Sequence, residues 1–143
     1  MIFEGYSALS PDHRATLLRR VRAALRPGGR IVFDVTAAAR FGSFVEGIVQ
    51  EPNLLGGFWA PEPYDGVVET WTYPALALAL EKYTITTARE QREFWNWTHC
   101  LTPDLVTQEL QFAGFDAPEV YGDIAGAEYE PSSPTFAVCA QRT

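Results

Sequence analysis

The sequence predicts a single α/β domain, and two kinds of pattern support this prediction. Residues 10–35 combine a polar cap, an amphipathic helix, a Pro-Gly-Gly turn and a short apolar strand, and residues 102–121 repeat the order of helix, turn and strand. Helices that alternate with apolar strands are typical of βαβ units in a parallel sheet. Between them, residues 67–99 alternate apolar and polar side chains, which predicts an antiparallel meander of about three strands.

The first helix has recognisable start and stop signals. Ser10 can cap the first-turn amides, and Pro11 suits the first helical position because it lacks an N–H. Apolar residues follow at helical spacing: Leu17, Leu18, Val21, Ala24 and Leu25. Pro27 ends the helix, and residues 31–35 form an apolar run typical of a strand covered on both faces. Asp34 in this run either bonds nearby loop amides or lines a pocket, as a wall residue or a base.

Residues 37–64 carry a weaker pattern. Four large apolar residues have helical spacing and predict a short helix: Phe41, Phe44, Val45 and Ile48. A loop rich in glycine and proline follows, and it contains Phe58-Trp59. Large apolar side chains in a loop cover either a core edge or a ligand, so Trp59 is a candidate substrate-binding residue.

The meander is predicted at residues 67–73, 76–87 and 90–99. Its aromatic side chains could line one concave wall for an apolar or cationic ligand, or pack across strands: Trp71, Tyr73, Trp95 and Trp97. His99 closes the meander beside Cys100 and is a candidate general base. A structural histidine is the alternative, since no triad partner is suitably spaced.

The C-terminal part is predicted to form a helix after Thr102-Pro103-Asp104, a strand at 115–121, an acidic loop at 122–134 and a strand at 135–140. Tyr129 in the loop is a candidate for the mouth of a substrate site.

Composition narrows the class of protein. The chain has 143 residues, of which 47% are apolar, so it can form one globular domain. A net charge of −7 disfavours nucleic acid and acidic membranes as partners. Cys100 and Cys139 make neither a disulfide framework nor a metal site. There is no signal-peptide pattern, and the longest apolar stretch, residues 75–80, is too short to span a bilayer, so we expect a cytoplasmic protein.

Several of these motifs together resemble a known family. Leu25-Arg26-Pro27-Gly28-Gly29 before Phe33-Asp34-Val35, followed later by Ala113-Gly114-Phe115, is similar to class I S-adenosylmethionine-dependent methyltransferases from their fourth strand onward. The resemblance covers most of the chain and is weakest at residues 40–90. It implies a partial Rossmann-like sheet with helices on its faces. Residues 1–143 would be the substrate-side, C-terminal half, with a substrate-recognition insert at 41–99, S-adenosylmethionine as cofactor and an organic small molecule as substrate.

The family's glycine-rich cofactor turn is not present in this sequence, since none of its eleven glycines forms a G-x-G-x-G pattern. We therefore expect a fragment, a truncated gene product or a degenerate relative that is inactive alone. Residues 1–3 read as the first strand, and an exposed strand edge there would favour a homodimer or a separate N-terminal half as partner.

The loop that leaves this first strand is the leading site candidate, because ligands of open α/β sheets bind at the carboxyl ends of strands. The resemblance implies cofactor contacts from Glu4, Gly5, Tyr6 and Ser7, and catalytic roles for Glu4 and Tyr6. The alternative is a solvated Glu4 and a core Tyr6. Substrate contacts are expected from Trp59, Trp71, Tyr73, Trp97 and Tyr129.

Two other functions fit parts of the sequence. One is a non-catalytic interaction module that pairs through a strand edge. The other is a small-molecule-binding α+β cup, which the tryptophan-rich meander would suit. The order of helix, Pro-Gly-Gly turn and buried strand favours the methyltransferase-type fold over the cup.

Overall fold

The computed structural model describes residues 4–143, so the strand predicted at residues 1–3 lies outside the described part of the chain. The regular elements are α1 (Pro11–Ala24), β1 (Arg30–Thr36), β2 (Gly47–Pro52), β3 (Asp65–Tyr73), β4 (Leu78–Thr86), β5 (Gln91–His99), α2 (Pro103–Phe112), β6 (Glu119–Tyr121) and β7 (Thr135–Gln141). Two short 3-10 helices lie at Ala38–Ser43 and Pro74–Leu76. No helix within residues 4–143 is both long enough and apolar enough to cross a membrane.

Both α-helices begin at the predicted caps. The Ser10 hydroxyl accepts a hydrogen bond from the His13 amide at 3.3 Å, and the Thr102 hydroxyl accepts one from the Leu105 amide at 3.2 Å. A side-chain oxygen at this position satisfies an amide that has no partner inside the helix. Each cap is followed by a proline in the first helical turn.

The first sheet has the strand order β1-β7-β6, and both pairings are antiparallel. α1 and α2 contribute to the core that buries one face of this sheet, with Leu18, Phe33, Val106 and Leu110 all fully buried. β6 and β7 form the predicted antiparallel pair around the long acidic loop. The expectation that β1 is covered on both faces is not met, because Val32 is 43% exposed on the face opposite Phe33 and Val35.

The second sheet is the predicted meander with one more strand, in the order β2-β3-β4-β5 and antiparallel throughout. The short helix predicted across residues 41–48 is wrong in its second half. Only Ala38–Ser43 is helical, as a 3-10 turn, and Ile48 lies in β2. Pairing of β2 along the edge of β3 outweighs a weak local helical pattern, since tertiary context commonly overrides propensity.

The end of β5 returns to the carboxyl end of β1. Leu101 and Ala37 form a parallel bridge, with the Leu101 amide 2.9 Å from the Thr36 carbonyl. The His99 amide donates to the Ser7 carbonyl at 2.9 Å. The second sheet therefore stands at the edge where loops leave the first sheet, which is where an α/β fold binds its ligands.

Residues 53–64 cover one face of the second sheet. Leu54 and Tyr64 are buried there together with Ile85 of β4, and Trp59 packs against this cluster. The Trp59 ring stacks on Phe94 of β5 at 4.7 Å between centroids. Large apolar residues in this loop were expected to cover either a core edge or a ligand. In the structure Trp59 covers an edge of the core.

Candidate functional site

A cavity of about 170 Å³ lies between the loop after the first predicted strand, the end of β1 and the second sheet. Its lining is mostly polar: Glu4, Gly5, Ser7, Ala8, Thr36, Arg40, Phe44, Glu81, Asn96, Trp97 and Thr98. A larger groove of about 400 Å³ separates α1 from α2 and includes Leu105 and the exposed Phe112. That groove is formed by helix faces and receives no loop from the end of a strand, so the smaller cavity is the better candidate.

Glu4 is held on three sides. Its amide donates to the Asp34 carboxylate at 2.9 Å, which confirms the expectation that Asp34 bonds a loop amide. Its own carboxylate accepts from the Thr36 hydroxyl at 2.5 Å and pairs with the Arg40 guanidinium at 2.9 Å. The Glu4 backbone has a φ of 54°, in the left-handed region that non-glycine residues rarely adopt. These contacts fix a strained residue at the cavity wall.

Ser7 joins the loop to both sheets. Its hydroxyl accepts a buried hydrogen bond from the Thr36 amide at 2.9 Å, and its carbonyl accepts one from the His99 amide. Ser7 as a whole is only 1% exposed. A buried hydroxyl of this kind is costly to leave unpaired, so these bonds make the loop geometry specific.

Tyr6 points away from the cavity into the core. The residue is fully buried, its ring lies 4.5 Å from that of Phe33, and its hydroxyl donates to the Glu109 carboxylate. Arg14 binds the same carboxylate through two nitrogens at 2.7–3.1 Å and lies over the Tyr6 ring at 5.6 Å. Burial, followed by the hydrogen bond to Glu109, raises the pKa of Tyr6 far above its ordinary value of 10.0.

His99 does not line the cavity. Burial is the main cause that lowers the pKa of its imidazole, and the positive charge of Arg14 lowers it further. Its side chain is therefore placed near the Arg14–Glu109 pair. The thiol of neighbouring Cys100 has its pKa raised, mainly by burial.

The predicted substrate residues are separated. Trp97 lines the cavity, and it shares a face of the second sheet with Trp71 and Tyr73. On that face Trp71 stacks on Trp95 at 6.4 Å and Tyr73 stacks on Trp97 at 6.3 Å. Trp59 lies on the opposite face, against Phe94.

Tyr129 lies away from all of these residues. It packs on the first core, edge-on to Phe136 at 5.9 Å. The structure thus brings together Glu4, Gly5, Ser7 and Trp97 and leaves the other candidates outside the cavity.

The structure adds residues that the sequence patterns did not single out. Thr36 ends β1 and Arg40 follows it closely, so the rule that ligands bind at the carboxyl ends of strands could have found them. Glu81 and Asn96 are register partners on β4 and β5, and only the strand register places them at the same wall. Within residues 4–143 no group of three or more His, Cys, Asp or Glu is arranged to hold a metal ion.

Solved methyltransferases have the same arrangement of elements. The CcbJ methyltransferase from Streptomyces caelestis superposes with a TM-score of 0.71 and 16% identity, over 99% of this chain and 55% of that protein. An S-adenosylmethionine-dependent methyltransferase from Clostridium acetobutylicum gives 0.72 and 9%, over 99% and 56%. CalS10, an amino pentose methyltransferase from Micromonospora echinaspora solved with S-adenosylmethionine bound, gives 0.53 and 17%, again over 99% and 56%.

Comparison by sequence, unlike comparison by structure, found no match. No protein-family model and no curated protein matches the sequence. The chain spans about half the length of the solved structures it matches, and at 9–17% identity the likeness concerns the fold. The chain therefore shares the α/β fold of the matched half of these methyltransferases, as the resemblance of its motifs implied.

Proposed function

We propose that this chain supplies the substrate-side half of an enzyme that transfers a methyl group from S-adenosylmethionine to an organic small molecule. The observation that carries the proposal is the fold likeness, which covers 99% of this chain and little more than half of each methyltransferase. The cavity supports it, since it opens beside the loop that leaves the first predicted strand, where the sheet of such a fold binds ligands.

The residues present fit one end of the cofactor only. Glu4, Gly5 and Ser7 lie on the cavity wall and would contact the methyl-bearing end, where Gly5 adds no side chain to obstruct the approach. No glycine-rich turn is available in these 143 residues to hold the rest of the molecule. In this proposal that part of the site comes from outside the chain, and the chain alone is inactive.

When bound, S-adenosylmethionine supplies an electrophilic methyl group that a nucleophile displaces in line. Such a transfer depends mainly on proximity and alignment, so the chain's contribution is to position the acceptor. The Glu4 carboxylate, fixed by Thr36 and Arg40, and the polar groups of Asn96 and Thr98 form the wall against which it is oriented. Tyr6 keeps its predicted catalytic role only through the loop that it anchors, because its hydroxyl is bound to Glu109.

The rest of the site and its partners belong to the same proposal. Tyr73 stacks on Trp97 and Trp71 lies beside it, on the face of the second sheet opposite Glu81 and Asn96, so both support the cavity wall from behind. Trp59, Tyr129 and His99 support the surrounding elements. A second copy or a separate N-terminal half completes the site through the strand predicted at residues 1–3, which lie outside the described part of the chain.

The test compares two proteins. One is the 143-residue chain, and the other is the product expressed with all in-frame coding sequence found upstream of Met1. Each is titrated with S-adenosylhomocysteine by calorimetry while its oligomeric mass is recorded. We expect micromolar binding by the longer product, or by a complex with a second chain, and binding at least about tenfold weaker by the chain alone. Absence of binding in every form would overturn the methyltransferase function, and equal binding by both would overturn the half-site.

A further inference from the structure

The cavity has an uneven charge. It contains the carboxylates of Glu4 and Glu81 and the single guanidinium of Arg40, with neutral polar or apolar groups elsewhere. Arg40 is committed to Glu4, with 2.9 Å between its nitrogen and the Glu4 carboxylate. The second carboxylate, that of Glu81, therefore leaves the lining with a net negative charge.

Glu81 has neutral neighbours. Its register partner Asn96 donates a side-chain hydrogen bond to it at 3.4 Å, and the carboxylate also lies close enough to Tyr83 to raise the pKa of that phenol, after burial, to about 12. Within residues 4–143 none of the ion pairs includes Glu81. Its half-buried position between two neighbouring strands fixes the carboxylate at the cavity wall.

The other acids of the same sheet provide a contrast. Glu69 and Glu93, on the opposite face, both approach the Lys82 ammonium, at 3.6 and 2.8 Å. The protein thus places one cation against both carboxylates on that face of the sheet. On the cavity face it presents Glu81 without one.

We propose that Glu81, supported by Asn96, determines substrate specificity in this cavity by binding an ammonium group of the acceptor molecule. The inference rests on the proposed function, which it deepens by naming the substrate class as an amine. A carboxylate already partly removed from water favours a cationic ligand through a charge-assisted hydrogen bond, and it rejects a ligand that would leave it unpaired. A hydroxyl in place of the ammonium cannot supply the charge.

The test uses two probes with the same ring and needs no cofactor. They are trans-4-aminocyclohexanol, an ammonium at neutral pH, and trans-cyclohexane-1,4-diol. Each is titrated into the chain while the side-chain amide signals of Asn96 are followed by NMR. We expect the amine to bind about fivefold or more tightly than the diol, as for a carboxylate–ammonium pair that is not fully exposed. Added salt should reduce this preference.

Three variants test whether the preference for the amine comes from the charge of Glu81. Glu81→Gln keeps the size and hydrogen-bonding capacity of the side chain and should bring the two probes to within about twofold of each other. Glu93→Gln removes the same charge from the opposite face and should leave the preference unchanged. Glu81→Asp keeps the charge on a shorter side chain and should retain a preference for the amine, which keeps the test informative if Glu81→Gln fails to fold.

Equal affinity of the two probes for the unmodified chain would overturn the inference, and so would a preference that survives Glu81→Gln. Neither result would contradict the methyltransferase function, provided that S-adenosylhomocysteine binds in the test of that function. Conversely, absence of S-adenosylhomocysteine binding with an intact amine preference would overturn the proposed function and leave an amine-binding site.

Discussion

The carboxylate of Glu4 accepts a hydrogen bond from the hydroxyl of Thr36 at 2.5 Å, although the two residues are 32 positions apart. Glu4 begins the loop beside the cavity, and Thr36 ends the strand β1. The bond therefore ties a residue with positive φ to the rigid end of a sheet. Sites held by rigid elements in this way keep their geometry better than free loops do.

Thr36→Val should loosen this loop without unfolding the protein. The substitution keeps the shape and the Thr36 amide, which still donates to Ser7, and removes only the hydroxyl. Loss of one hydrogen bond of about 1 kcal/mol should speed amide exchange at Glu4 and Ser7 about fivefold. Hydrogen–deuterium exchange measures this directly. Thr107→Val on α2 is the control, and equal exchange in both variants would contradict a special role for Thr36.

A second long-range contact stabilises the fold beneath the site. Arg14 and Glu109 pair at 2.7 Å with only 3% and 18% of their side chains exposed, and Tyr6 donates to the same carboxylate. Glu109→Ala would leave a buried guanidinium and a buried hydroxyl without their partner. We expect it to lower the free energy of unfolding by about 3–5 kcal/mol, measured by urea denaturation.

The matched control is Glu90→Ala. Glu90 pairs with Arg92 at 2.5 Å, but both side chains are more than half exposed. Its loss should change stability by less than about 1 kcal/mol, since water solvates both charges. If the two variants unfolded at the same urea concentration, burial would not be what makes the Arg14–Glu109 pair important.

Alkaline pH should destabilise the protein through Tyr6. Unfolded tyrosines ionise near 10.0, whereas burial and Glu109 keep the folded Tyr6 pKa far higher. Above pH 10 the unfolded state then binds fewer protons than the folded state, so stability falls as pH rises. Tyr6→Phe should be less stable at neutral pH, because Glu109 loses a donor. Its stability should also decline less steeply above pH 10, by about 1.4 kcal/mol per pH unit.

Urea denaturation from pH 8 to 11 checks this slope. Tyr83→Phe is a useful companion, because burial raises the pKa of Tyr83 to about 12 and it contributes in the same direction. Slopes that were equal for the original chain and Tyr6→Phe would show that Tyr6 ionises as freely in the folded protein as in the unfolded chain.

Local signals explain what could be predicted from the sequence. Ser10 and Thr102 cap their helices through the side chain of one residue, and β3 to β5 are rich in β-branched and aromatic residues, so neither signal depends on distant residues. β2 was missed because its segment carries a weak helical pattern and becomes a strand only by pairing with β3. Its side chains are all exposed, so no buried face constrains its sequence.

The site was predictable only in part for the same reason. The rule that ligands bind at the carboxyl ends of strands identified Glu4, Gly5 and Ser7, because it needs only the order of strands and loops along the chain. Tyr6 belongs to the same loop, but its direction is decided by Glu109, which is 103 positions away. Glu81 meets Asn96 through strand register, a property that a single sequence does not specify when both faces carry polar residues.

The last prediction concerns the segment that covers the cavity-side face of the second sheet. Gly66 of β3 lies against Leu54, and a Cβ added at Gly66 would be 2.4 Å from the Cβ of Leu54. Gly66→Ala should therefore displace residues 53–64 and destabilise the protein by about 1–3 kcal/mol, as overpacked cores do. Gly42→Ala is the control, because nothing lies within 4 Å of the added atom.

A double variant separates overpacking from other causes. Leu54→Ala alone creates a cavity, but in combination with Gly66→Ala it leaves more room for the added methyl group. The free-energy loss of the pair, measured by urea denaturation, should thus be smaller than the sum of the single losses by at least about 0.5 kcal/mol. Additive losses would mean that Gly66 is required for its backbone freedom within β3 and not for the close approach of Leu54.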